Sequence, residues 1–312
     1  MPRIFFATDL HGSEMCWRKF LNAAKFYEAD VLICGGDMTG KAIVPIVEED
    51  GHFTVTMAGQ PAQTVGDDGV GEVEALIRRK GYYPLRVTPE RLAELDQDEG
   101  VRKHTFQQVM LEGVGRWMKM AEDKLGGSGV RLFVCPGNDD EMEVDDVIRK
   151  SEMVQLGEGQ LVELDGFSMI STGWSNHTPW NTHREETEEQ LGERIEAMAK
   201  QVTDPSHAIF NLHCPPYKSG LDEAPAIDAD LKLLHGGRAL RPVGSTAVRQ
   251  SIEKHQPLLS LHGHIHESKG AVKLGKTLSI NPGSSYEEGM LMGAIVQLDP
   301  KKGIKSYQLV NG

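Results

Sequence analysis

Five times along this chain of 312 residues a short apolar run breaks off into a turn carrying Asp, Asn or His, and that recurrence limits the possible folds more than any other feature. The turns are Asp9-Leu10-His11, Gly35-Gly36-Asp37, Gly137-Asn138-Asp139-Asp140, Asn211-Leu212-His213 and His262-Gly263-His264-Ile265-His266. The runs behind them (Ile4 to Ala7, Val31 to Cys34, Arg131 to Cys135, Ala208 to Leu212, Pro257 to Leu261) read as buried strands. Amphipathic stretches at Glu14 to Glu28, Glu185 to Gln201 and Ser245 to Lys254 read as helices between them. Short strands alternating with helices predict an α/β fold. Gln160 to Leu164 and Phe167 to Ser171, joined by Asp165-Gly166, predict a hairpin. In open α/β sheets, ligand sites form just beyond the carboxyl ends of the strands, which is where all five turns lie.

The stretch from Gly40 to Gly129 breaks the alternation. It offers a hairpin at Phe53 to Val65, a Gly/Asp-rich turn at Gly66 to Gly71, and helices near Glu72 to Lys80, Pro89 to Leu95 and Lys103 to Leu125. It reads as an insertion between two strands of the main sheet, a cap or side lobe at about 41–129 on a single domain spanning 1–312.

Composition narrows the function. A net charge of -13 works against nucleic-acid binding, which rests on Lys and Arg neutralising phosphates, and leaves small anionic substrates open. The cysteines (Cys16, Cys34, Cys135, Cys214) form no C-x-x-C pair, so neither a zinc knuckle nor a redox motif is indicated. Reduced cysteines, a strand pattern starting at the amino terminus and no long apolar run predict a cytoplasmic protein that stays off membranes.

The five turns offer two carboxylates, one amide and four imidazoles: Asp9, Asp37, Asn138, His11, His213, His264 and His266. Hard oxygen and borderline nitrogen donors suit Mn, Fe, Zn or Mg ions, not a thiolate metal site. Donors at i and i+2, as in Asp9/His11 and His264/His266, point the same way from an extended segment and reach a single site. One rival motif, Gly35 to Lys41, spells G-x-x-x-x-G-K, yet Ala42 stands where a phosphate-binding loop needs a hydroxyl, and Asp37 would put a negative charge in the cradle.

The order D-x-H, G-D, G-N, H, G-H-x-H resembles that of the calcineurin-like metallophosphoesterase superfamily, over residues 9 to 266. The Asn281-Pro282-Gly283-Ser284 turn is similar to one following the last ligand motif in small members. The resemblance implies a four-layer α/β/β/α sandwich of two mixed sheets with helices outside. It also implies two divalent metal ions, Mn favoured, with Asp9, His11 and His266 on the first, Asn138, His213 and His264 on the second, and Asp37 bridging. The activity it implies is hydrolysis of a small phosphate ester by a metal-bridging hydroxide attacking in line.

The chain departs from that pattern at Asp139, where many relatives carry a histidine that serves the leaving group. An ionised aspartate donates no proton and repels an anionic phosphate unless its pKa is raised. Asp139 is thus either a catalytic residue at which leaving-group protonation is weak or comes from elsewhere, favouring diesters or activated leaving groups, or a residue that merely points to solvent or supports a ligand histidine. Trp180, Tyr217 and Arg238 lie in loops on the site's side and are candidates for substrate contacts, with ordinary loop packing as the alternative for each. A silent scaffold of the same fold and a nuclease are the rival functions. Oligomerisation is left open.

Overall fold

The computed structural model describes residues 1–57, 59, 61–228 and 230–312. Two six-stranded mixed sheets carry the architecture. The first runs in the order Gly303–Asn311, Met292–Asp299, Arg3–Ala7, Val31–Cys34, Arg131–Val134, Val154–Leu156. The second runs Gly270–Leu274, Thr277–Asn281, Leu259–Leu261, Ala208–Leu212, Phe167–Thr172, Leu161–Leu164. The strands leading to the five turns are the central, parallel ones of each sheet, and Leu161–Leu164 pairs antiparallel with Phe167–Thr172 as the expected hairpin.

Both faces of these strands are buried, which is why they read as unbroken apolar runs. In the first strand Ile4 and Phe6 point between the sheets, where they pack with Ile33, Phe133, Met169, Ile209 and Leu261. Phe5 and Ala7 point outward, onto the helices Glu14–Phe26 and Glu99–Leu125. Trp17 and Trp117 from those two helices stack at 4.9 Å. On the far side Glu188–Ala199 and Thr246–His255 cover the second sheet through Leu191, Ile195, Val248 and Ile252. The result is a four-layer α/β/β/α sandwich.

Between Gly40 and Gly129 the chain adds a four-stranded sheet, ordered Gln63–Val65, His52–Val55, Ile43–Glu49, Tyr83–Val87, with its own core of Ile46, Phe53, Val73 and Ile77. The later helix Glu99–Leu125 turns back to cover the first main sheet. The insert is keyed to the chain just after the first two motif turns. Ser13 Oγ donates to Arg79 O at 2.9 Å, Gly40 N donates to the Tyr83 hydroxyl at 2.8 Å, and a Cβ on Gly12 would meet Gly81 O at 2.6 Å.

Two local expectations change. Gly66 to Gly71 is not a turn: Gly66 caps the helix Asp67–Arg79, and Asp67 and Asp68 sit in its first turn where carboxylates complement the helix dipole. At Glu185 the chain forms the short strand Glu185–Glu186, and the helix starts only after Thr187, whose capping box with Gln190 sets the boundary.

Candidate metal centre

The turns place their polar side chains at one spot between the two sheets' carboxyl ends. Asp9, His11 and His266 form one group of donor atoms mutually within 4.8 Å, and Asp37, His213 and His264 form another. Asp37 lies between them, with Oδ2 3.7 Å from His11 Nε2 and 3.4 Å from His213 Nε2. Asn138 Oδ1 is 3.1 Å from His213 Nε2. His11 Nε2 and His266 Nε2 face each other at 3.1 Å.

The backbone conformation that does this is not the extended one expected from the i, i+2 spacing. Asp9, His11, Asp37 and His264 all take positive φ, 54°, 40°, 48° and 67°. Such strain in side-chain-bearing residues gathers at functional sites, where the surrounding structure overdetermines it. His264 and His266 accordingly fall into different donor groups. The adjoining glycines leave no spare room. A Cβ on Gly36 would stand 2.2 Å from His213 Nδ1, and one on Gly137 would stand 2.2 Å from Asp37 Oδ1.

A second set of contacts holds the turns in register. Buried Asp140 accepts from Met38 N (3.0 Å), Thr39 N (2.8 Å), Thr39 Oγ1 (2.7 Å) and Gly137 N (2.7 Å), tying the G-D turn to the G-N turn. Arg184, fully buried, donates to Asp140 O and Glu141 O at 2.9 Å and to Asp145 Oδ1 at 2.7 Å. Asn281 Nδ2 donates to Ile265 O at 2.9 Å and Ser284 Oγ to Asp9 O at 2.7 Å, so the Asn281 to Ser284 turn braces both His264/His266 and Asp9. His213 Nδ1 lies 3.1 Å from Gly35 O, which leaves Nε2 to face the site. His262 is used up in the strand end: its nitrogens meet Leu212 O at 2.8 Å and Ser260 Oγ at 2.9 Å.

Electrostatics favour cation binding. Burial holds His11 at about 3 and His264 at about 4, so both stay neutral with a lone pair to offer. Burial alone would raise Asp9, but its hydrogen bond with His266 and the charge of His213 bring it down to about 2. Burial would lower His213, yet Asp37 beside it raises it to about 9. His11 Nδ1 is buried without a hydrogen-bond partner. A buried set of Asp, Asn and His donors, with imidazole nitrogens facing one another and His11 and His264 held neutral, fits a divalent-metal site.

Asp139 and Lys41 sit at the edge of this set. Asp139 N donates to Asp37 Oδ1 at 2.9 Å, and Lys41 Nζ lies 2.9 Å from Asp139 Oδ2, itself 3.7 Å from His11 Nδ1. Burial and the nearby Asp37 raise Asp139 to about 6, with Lys41 working the other way. A cavity of about 820 Å³ is lined by His11, Asp37, Asn138, His264 and His266, by Lys41 and Asp139, and by Trp180 and Tyr217. Arg238 is absent from that lining, whereas Arg241 is part of it. Lys41, Asp140 and Arg184 had no assigned role in the sequence. The only signal for Lys41 was its place in the incomplete G-x-x-x-x-G-K run, and Arg184 gave none.

Two facing mixed sheets with helices on both outer faces bear out the four-layer sandwich, and this Asp/Asn/His set lies beyond its strand ends. An uncharacterized protein of Methanocaldococcus jannaschii is 31% identical over 156 residues, 49% of this chain and 64% of that protein, so the match spans less than two thirds of the relative. One crystal structure, 16% identical, covers 99% of each chain at a TM-score of 0.58. Protein TT1561 of Thermus thermophilus, 15% identical, covers 100% of this chain and 98% of its own at 0.52. A novel archaeal phosphodiesterase, 12% identical over 99% of each chain, stands further off at 0.35. No family model matches the chain.

Proposed function

We propose that this chain is a divalent-metal-dependent phosphodiesterase. The observation that carries it is the convergence of Asp9, His11, Asp37, Asn138, His213, His264 and His266 at one spot, with His11, Asp37, Asn138, His264 and His266 on the floor of one cavity. Asp9, His11 and His266 would hold one ion and Asn138, His213 and His264 the other, with Asp37 shared between them and Mn²⁺ the favoured metal. When bound, the ions supply Lewis acidity to the phosphoryl oxygens and lower the pKa of coordinated water.

This chain's own residues then do three things. Asp140, Arg184 and Asn281 keep the donor turns in place. The Lys41 ammonium, anchored by Asp139 and facing the cavity, offers its remaining N–H donors to a phosphoryl or leaving-group oxygen. Asp139 positions Lys41 and takes the place of the histidine expected there, which leaves the site without an imidazole at that point to serve the leaving group. A monoanionic diester suits a rim that carries Asp139 better than a dianionic monoester does.

Cysteines that are all free and buried support a reducing, cytoplasmic setting. Among the described residues no helix is long and apolar enough to cross a membrane. The test is turnover of bis-p-nitrophenyl phosphate against p-nitrophenyl phosphate by metal-stripped protein refilled with Mn²⁺. Metal-dependent turnover that favours the diester is the expected result. Two bound Mn²⁺ per chain with neither substrate turned over would instead support the silent scaffold.

A further inference from the structure

The same cavity has a wall unlike its floor. Besides the metal-site residues it is lined by Trp180, Ile227, Leu231, Leu233, Pro242 and Val243. Trp180, Leu231 and Leu233 are 64%, 47% and 59% exposed. Most of these residues belong to one excursion, in which Glu223–Pro225 pairs antiparallel with Leu240–Pro242 and a loop carries the leucines between them. Large side chains clustered in the open at a cavity mark a place where apolar surface is meant to be covered.

Several polar side chains of this wall are already engaged inside the protein, while Tyr217, Arg241 and Glu267 line other parts of the same cavity. Thr178 and Thr182 hydroxyls both donate to Glu185. Asn176 donates to Val243 O at 3.4 Å and accepts from Cys214 Sγ at 3.0 Å. Glu188 accepts from Ser245 Oγ, Thr246 N and Ala247 N at the start of the following helix. A base edge placed against Leu231 and Leu233 would find no hydrogen-bond partner in their side chains, whereas a hydrocarbon chain needs none.

We propose that the substrate is an amphiphilic phosphodiester whose second ester group is an alkyl or similarly extended apolar chain, seated against Trp180, Leu231 and Leu233. One continuous cavity joins that wall to the metal-site floor, so the phosphoryl group and the chain belong to one ligand. This rests on the phosphodiesterase reading and supplies its substrate class. In the reaction, water adds to phosphorus and one P–O ester bond breaks. The alkyl phosphate stays as one product, while the other alcohol leaves as its anion with a proton released to solvent.

The test uses the Mn²⁺-refilled protein and a series of methyl, butyl and octyl p-nitrophenyl phosphates, with a nucleoside p-nitrophenyl phosphate as the competitor. KM is expected to fall about 10-fold from the methyl to the octyl ester, roughly the worth of two fully buried methylenes. In the double variant Leu231→Asp/Leu233→Asp, still folded by circular dichroism and still binding Mn²⁺ like the parent, the octyl ester should lose that advantage. A second arm needs no turnover: octyl phosphonate should bind at least 5-fold more tightly than methyl phosphonate by calorimetry. A KM independent of chain length, or a nucleoside ester with the lowest KM, overturns the proposal. So does a double variant that turns a dimer into a monomer with the octyl KM unchanged, because the leucines then cover a second copy. If no ester is cleaved, the phosphodiesterase reading falls, and the calorimetric arm alone decides on the apolar wall.

Discussion

In the donor set, part of which floors the cavity, Asp9, His11, Asp37 and His213 are each 3% exposed or less, while at the cavity's rim Trp180, Leu231 and Leu233 are about half exposed or more. The floor residues are held from every side: strained backbone, glycines with no room for a methyl group, and a buried Asp140 that ties two turns together. Leu231 and Leu233 stand on a short two-stranded excursion, Trp180 in a separate loop between Asn176 and Glu185, and all three side chains are apolar. A floor built this way fixes donor geometry to within a fraction of an ångström, which metal chemistry requires. The rim needs only to be apolar and reachable, so it selects the ligand without setting the chemistry.

The difference yields predictions that strain it in graded steps. Removing the divalent metals with a chelator should bring diester turnover to the detection limit, and Mn²⁺ should restore it; activity surviving chelation would detach the floor from the chemistry. Next, Gly36→Ala or Gly137→Ala, each pushing a methyl group into His213 or Asp37, should lower kcat about 100-fold by misplacing donors. An unchanged kcat in either would mean that the turns yield more readily than their packing implies. Asp140→Ala leaves four buried donors without their acceptor and should cost about 3–5 kcal/mol in denaturant unfolding, well beyond a surface change.

Lys41→Met should lower diester kcat/KM about 10-fold with stability nearly unchanged, because the Lys41 side chain is 56% exposed, and Lys41→Arg should recover part of the loss. Equal rates in all three proteins would leave Lys41 without a part in turnover. The smallest effect belongs to the rim. Leu233→Asp should shift unfolding free energy by about 0.5 kcal/mol or less, since that side chain gives up little burial. A larger loss would show that the excursion is packed as firmly as the floor.

Much of the donor set is legible in the sequence. Asp9, His11, Asp37, Asn138, His213, His264 and His266 each follow an apolar run, so their shared position beyond the strand ends follows from strand register alone. The capping box Thr187-x-x-Gln190 is equally visible, though the charged run ahead of it blurs where the helix starts. What stays hidden depends on distant pairings. Lys41 meets Asp139 across 98 positions of chain (139 − 41), and Asp140 clamps Met38 and Thr39 in the same way. Arg184 is buried against Asp145, although an arginine in a polar loop gives no local sign of burial.

Local pattern accounts for the two buried sheets, through runs apolar on both faces, and for the donor types at the strand ends, through short motifs whose spacing a strand converts directly into position. Long-range packing was needed to divide the donors into two groups, to bring Lys41 to Asp139, and to wall the cavity with the leucines of one loop. The two differ in range. Strand periodicity and turn chemistry act over a few residues, whereas a cavity is the space left where segments far apart in the chain meet.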